Sequence, residues 1–159
     1  MEKQTVEFRD YLLAGYPVIW VRTHEETRAI DSLSSTIKEY TTSIWDGLRG
    51  YSGALTHKST DPLAAIEEAK KVQGTRHVFF LKDFHRYIKS IDNMRAIKNA
   101  IPDLKNTDKH LIIVSPVVEI PIEVQKDIVV YDFKLPSGDE LVDLAKALIE
   151  DNQFKDCKI

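Results

Sequence analysis

Val18-Ile19-Trp20-Val21-Arg22-Thr23-His24-Glu25-Glu26 is the stretch on which the reading of this chain turns. Four apolar residues of strand type run straight into polar and acidic ones, as when a buried strand passes directly into a helix. In many nucleotide-binding α/β domains such a junction carries a glycine-rich phosphate loop. That loop needs glycines so that backbone N–H groups can close around phosphate oxygens, and a Lys-Ser/Thr pair to hold phosphate and Mg²⁺. Here the junction has no glycine and is crowded and acidic, which argues against an ordinary ATPase.

Beyond the junction, apolar segments alternate between a strand-like and a helical period, with no repeat, low-complexity tract or Pro/Gly/Ser linker. Short apolar runs at Val18–Arg22, Ser43–Trp45, His77–Leu81, Leu111–Val114 and Ile128–Tyr131 read as five buried strands. Amphipathic stretches predict helices between and after them. Glu25–Tyr40 places Ala29, Ile30, Leu33 and Ile37 on one face, and Pro62–Gln73 places Leu63, Ile66 and Ala69 together. Ile91–Leu104 uses Met94, Ile97 and Ile101, with Pro102 expected to end or bend it, and Gly138–Asp151 turns Leu141, Leu144, Ala145 and Leu148 inward. Thr23-His24-Glu25-Glu26 and Ser137-Gly138-Asp139-Glu140 fit the capping box, and Asp61-Pro62 supplies a cap and a first-turn proline. Strands joined by helices imply right-handed crossovers and a mainly parallel three-layer αβα sandwich.

The 159 residues, 43% hydrophobic and 30% charged, suffice for one domain with a full core, taken as residues 1–159. A net charge of −3 gives no electrostatic footprint for nucleic acid or an anionic membrane, so neither is an expected partner. The single cysteine, Cys157, allows no internal disulfide and no four-ligand zinc site within the chain, which fits a reducing cytosol. No apolar run approaches the ~20 residues of a membrane span, and the N-terminus lacks the pattern of an export signal.

In an open parallel sheet the functional crevice lies beyond the carboxyl ends of the strands. The residues there are Thr23 and His24, Asp46, Lys82 and Asp83, Ser115, and Asp132. Thr23, His24, Lys82, Asp83 and Ser115 are the candidates for contact with a nucleotide or phosphate; no residue is put forward as catalytic or as a metal ligand. Lys82-Asp83, after Val78-Phe79-Phe80-Leu81, looks like a weakened Walker B element; the plainer reading is a local ion pair or a cap for Phe84-His85-Arg86. The five histidines show no metal-ligand spacing. Two loops carry interaction candidates. Trp45–Gly53 holds three of the six glycines with Trp45, Arg49 and Tyr51, and either binds a partner or packs under its own side chains. Ser115–Pro121 is stiff and apolar, with Val117 and Ile120 either folding over the core or docking on a neighbour.

The succession His24-Glu25-Glu26, Trp45-Asp46-Gly47-Leu48-Arg49-Gly50, Asp61-Pro62-Leu63-Ala64-Ala65, Leu81-Lys82-Asp83-Phe84-His85, Ser115–Pro121 and Asp132-Phe133-Lys134-Leu135-Pro136 resembles the N-terminal region of the hypothetical chloroplast open reading frame family of AAA ATPases. That family occurs in plastids, cyanobacteria and other bacteria, and the resemblance spans about residues 10–150. It implies a degenerate AAA/RecA-like domain with strand order 5-1-4-3-2, counting five strands along the chain, and a complete ATPase module elsewhere in the family's proteins. On that template Lys82-Asp83 matches the Walker B position with lysine in place of an acid, and Ser115 the polar sensor position. Leu135-Pro136 resembles the AAA junction into a helix, without the arginine usual soon after it.

Three functions follow as expectations. The first is a non-catalytic interaction or regulatory domain, needing no cofactor of its own, with ATP and Mg²⁺ entering only through an accompanying ATPase module. Its partners would be proteins or that module, its oligomeric state is open, and its compartment would be the cytoplasm, or the stroma in a plastid-bearing source. The second is a nucleotide or phosphate sensor using Arg22, Arg49, Lys82 and helix N-termini. The third, a metal-dependent hydrolase, would need Asp46 and Asp83 to converge with a third carboxylate.

Overall fold

A computed structural model of the chain describes residues 7–134 and 138–150. Six strands form one sheet: β1 (Val18–Arg22), β2 (Thr41–Asp46), β3 (Gly50–Gly53), β4 (His77–Lys82), β5 (Lys109–Ser115) and β6 (Ile128–Asp132). Their order is β3-β2-β4-β5-β1-β6. Five of them are parallel and stand in the expected order; β3 pairs antiparallel outside β2. This added edge strand corrects the five-stranded expectation. Asp46 pairs with Gly50, so Gly47-Leu48-Arg49 is a three-residue hairpin loop followed by a glycine at φ 76°. A Cβ on Gly50 would lie 2.6 Å from the Lys58 carbonyl carbon, so the position requires glycine.

The period-two alternation of the strands sorts their side chains onto two faces. Trp20, Trp45, Phe79, Leu81, Leu111 and Ile113 face α3 (Pro62–Lys71) and α4 (Ile91–Asn106), which contribute Ile66, Ala69, Ile97, Ile101 and Leu104. Ile19, Val21, Val78, Phe80, Ile112 and Val114 face Phe8 and Leu12 of α1 (Phe8–Leu13) and Ile30 and Leu33 of α2 (Glu26–Thr36). Each fully buried large side chain contributes about 1.5–3 kcal/mol of transfer free energy, and β1, β4 and β5 supply the continuous buried runs.

Several boundaries depart from the sequence reading. The six-residue α1 had no expected counterpart. α2 stops at Thr36, where Ser35 and Thr36 hydroxyls donate to the carbonyls of Ser32 and Leu33 (2.6 and 2.7 Å) and compete with helical bonding. The capping box at Thr23 does not form; Thr23 Oγ1 accepts from the Glu25 N–H (3.0 Å), leaving Glu26 to turn elsewhere. Asp61 does cap α3, its Oδ1 accepting from the Leu63 N–H (3.1 Å). α4 runs through Pro102 to Asn106 because Pro102 and Lys98, whose carbonyl loses its partner, both lie on the exposed face. α5 (Gly138–Glu150) buries none of its residues, so the inward placement of Leu141, Leu144, Ala145 and Leu148 is corrected. Leu135-Pro136, Ser137, Asp151 and Cys157 lie outside the described residues.

Candidate functional site

The register aligns the strand ends. Arg22 pairs with Ser115 on one side and Asp132 on the other, and Lys82 with Val114, so the candidate residues share one edge of the sheet. They do not share one site. Thr23 and Ser115 are buried. The Thr23 N–H donates to the Ser115 carbonyl (3.0 Å), while Ser115 Oγ accepts from Trp20 Nε1 (2.8 Å) and donates to the Val117 carbonyl (2.7 Å). Both hydroxyls fasten the exits of β1 and β5, and Thr23 also lines the cleft that His24 faces.

His24 is exposed on a 260 Å³ cleft with Arg22, Glu25, Pro116 and Phe133. Arg22 is already engaged there: its Nε and one terminal nitrogen donate to the two carboxylate oxygens of Asp132 at 2.5 and 2.9 Å. The same hydrogen bonds hold the Asp132 carboxyl below its ordinary pKa. Arg28 lies 4.7 Å over the Phe133 ring and bonds Glu25, tying the exit of β6 to the start of α2. Composition and spacing gave no signal for this cross-strand clamp, which exists only because β1 and β6 are adjacent.

Lys82 and Asp83 line a different, larger cleft of 520 Å³, with Glu26, Asp46, Gly47, Leu48, Arg49 and Tyr87. Its geometry comes from three local features. Asp46 Oδ1 accepts from the backbone N–H groups of Leu48 and Arg49 (2.8 Å each), which shapes the β2–β3 loop. Asp83 takes the left-handed conformation (φ 54°), turning the chain out of β4 into the 3-10 turn Phe84–Arg86. Lys82 Nζ sits 3.8 Å from Glu26 Oε1 in the first turn of α2, with the lysine side chain 24% and the glutamate 41% exposed. The cleft is thus bridged from β4 to the β1–α2 junction by an internal ion pair. Glu26, Asp46 and Asp83 all line it, yet among the described residues no group of three or more His, Cys, Asp or Glu could hold a metal ion.

The interaction candidates divide by burial. Trp45 and Tyr51 are buried: Trp45 Nε1 donates to the Ser59 carbonyl (3.1 Å) and the Tyr51 hydroxyl to the Ala65 carbonyl (2.7 Å). Burial pushes the Tyr51 hydroxyl pKa up. Both are core residues, so of the two readings of this loop its aromatic part follows the one in which it packs under its own domain. Arg49 remains exposed, Val117 is exposed, and Ile120 packs half-buried against the core. Leu48, 85% exposed at the loop tip, is an apolar side chain that the sequence reading passed over.

A family model described as the SpoVK-like AAA ATPase, N-terminal domain, matches residues 4–133. The chain belongs to that family. Among curated relatives, the AAA domain-containing protein ycf46 of Trieres chinensis is 33% identical over 147 residues, covering 86% of this chain and 30% of the relative. The corresponding protein of Pyropia yezoensis is 31% identical over 156 residues, covering 91% of this chain and 32% of the relative. The chain therefore spans about a third of the length of the relatives it matches, which are described as uncharacterized AAA domain-containing proteins. Among solved structures, a DNA replication initiation factor superposes with a TM-score of 0.55 at 11% identity, covering 90% of this chain and 48% of that one. That likeness concerns the fold, and it agrees with the αβα sandwich expected for this family.

Proposed function

We infer that this domain is a non-catalytic interaction and regulatory domain of an AAA ATPase, acting on an adjacent ATPase module and not hydrolysing nucleotide itself. One observation carries the reading: the Lys82–Glu26 pair across the cleft. A phosphate arriving at the β1–α2 junction would need free backbone N–H groups at the start of α2 and an unpaired cation. Glu25 and Glu26 instead put carboxylates at the positive end of that helix, an interaction worth about 0.3–1 kcal/mol, and Lys82 already has an anionic neighbour. Glu26 occupies, as part of the chain, the electrostatic place a phosphate would take. Among the described residues no helix is long and apolar enough to cross a membrane, and the reading places the domain in cytoplasm or plastid stroma with protein partners.

The alternative is a nucleotide sensor, and the 520 Å³ cleft favours it, since that volume is of ligand-binding size. Isothermal titration of the purified chain with ATP and with ADP, each with Mg²⁺, separates the two. No saturable heat up to about millimolar ligand, the weak end of the affinity scale, is the expected result. Saturable binding abolished by Lys82→Ala would establish the sensor instead.

A further inference from the structure

We propose that α5 is the element through which this domain docks on the ATPase module of its family, with the Leu141, Leu144, Ala145 and Leu148 face as the contact. This rests on the reading above that the domain acts on such a module. Along α5, Asp139, Asp143, Lys146 and Glu150 recur on one side and the apolar residues on the other, a pattern that drives burial in soluble helices. Yet Leu141 is 54% exposed, Leu144 50% and Leu148 48%, and no residue of the helix is buried. Every other helix of comparable length buries its apolar stripe on the sheet.

Two boundaries say what covers the face. The N-terminal-domain family model ends at residue 133, before α5 begins at Gly138. Residues 1–137 are about 86% of the chain, so the match to the Pyropia relative, which covers 91%, reaches into α5. The helix is thus shared with a protein of which this chain spans only 32%, while lying outside the N-terminal domain proper. It belongs structurally with the remainder of such a protein, and an AAA module is the occupant that remainder offers. An apolar face of four side chains is the kind that a helix lays against an apolar partner surface, with the charged side left to solvent.

The test is amide hydrogen exchange on the 159-residue chain and on a full-length hybrid in which this chain replaces the matched region of the Pyropia relative. The α5 amides should exchange rapidly in the chain alone and at least about a hundredfold more slowly in the hybrid, the signature of a helix taken from exposed to packed. Leu144→Asp with Leu148→Asp should return the rapid exchange, and Lys146→Glu on the opposite face should not. Equal exchange in both proteins overturns the proposal, as does protection in the chain alone accompanied by dimer sedimentation, which would make a second copy the occupant. If the hybrid does not fold, the unmodified relative supplies the same measurement: protection of its matching helix supports the proposal and its absence overturns it. Nucleotide binding in the cleft would defeat the functional reading and leave these exchange rates unchanged.

Discussion

The two edges of the sheet handle charge in opposite ways. At the edge where the parallel strands begin, ionisable groups are buried and their polar atoms are used. Lys109 donates from Nζ to the carbonyls of Lys70 and Val72, closing the end of α3. His77 Nε2 lies 2.8 Å from Ser43 Oγ, with its ring stacked 4.1 Å from Phe79. His110 sits between the Tyr16 carbonyl and Asp108 (2.6 and 2.8 Å). At the opposite edge, Lys82, Glu26, Asp46 and Asp83 surround an open cleft, and the Lys82–Glu26 pair is partly exposed. The first edge uses its charges to close the fold; the second leaves them around an open cleft, where Lys82 faces Glu26 and Arg49 stays exposed.

The largest effect should come from the buried edge. Lys109→Ala removes both hydrogen bonds from the buried Lys109 side chain to the carbonyls of Lys70 and Val72 and leaves a cavity, and should cost about 2–4 kcal/mol in urea unfolding. A cost below about 1 kcal/mol would erase the contrast between the edges. Ser115→Ala tests whether the buried floor of the cleft edge behaves like the first edge, since it strands Trp20 Nε1; about 1–3 kcal/mol is expected in the same assay.

The pH dependence is subtler. Burial, and then the Lys109 charge, lower the His77 pKa below its ordinary value. Between the folded and the unfolded pKa the unfolded chain binds more protons, so His77 stabilises the domain above about pH 6.5 and loses that contribution as pH falls below it. Unfolding midpoints at pH 7.5 and 5.5 should therefore differ less for His77→Gln than for the parent, and an unchanged difference would remove His77 as the cause. Smallest of all, Glu26→Ala should shift stability by no more than about 1 kcal/mol, as for other solvent-screened pairs. A loss comparable with that of Lys109→Ala would mean that the cleft pair is a structural keystone.

What the sequence disclosed follows the same division. β1, β4 and β5 were legible because each central parallel strand carries an unbroken run of four apolar residues, and the order of the five parallel strands came with the family resemblance. β3 was not, because Gly50-Tyr51-Ser52-Gly53 begins and ends in glycine and reads as loop; only its pairing with β2 makes it a strand. The six residues of α1 are too few for a helical period to register, although Phe8 and Leu12 are buried. At the candidate site, strand-end logic finds Lys82 and Asp83 but not the partner of Lys82, since the spacing Thr23-His24-Glu25-Glu26 reads Glu26 as part of a cap. The amphipathic period of α5 was plain, but a period names a face without naming what covers it.

The most direct test of the proposal that Glu26 takes the place of a phosphate is a two-dimensional ¹H–¹⁵N NMR titration of the chain with Mg²⁺-ATP, following the amides of Glu26, Gly47, Leu48, Arg49, Lys82 and Asp83. The account predicts that these resonances stay in place up to about millimolar nucleotide, with Glu26→Ala as the variant in which any latent binding would first emerge. Saturable shifts at those amides in the unmodified chain would contradict it, and would make the cleft a working nucleotide site.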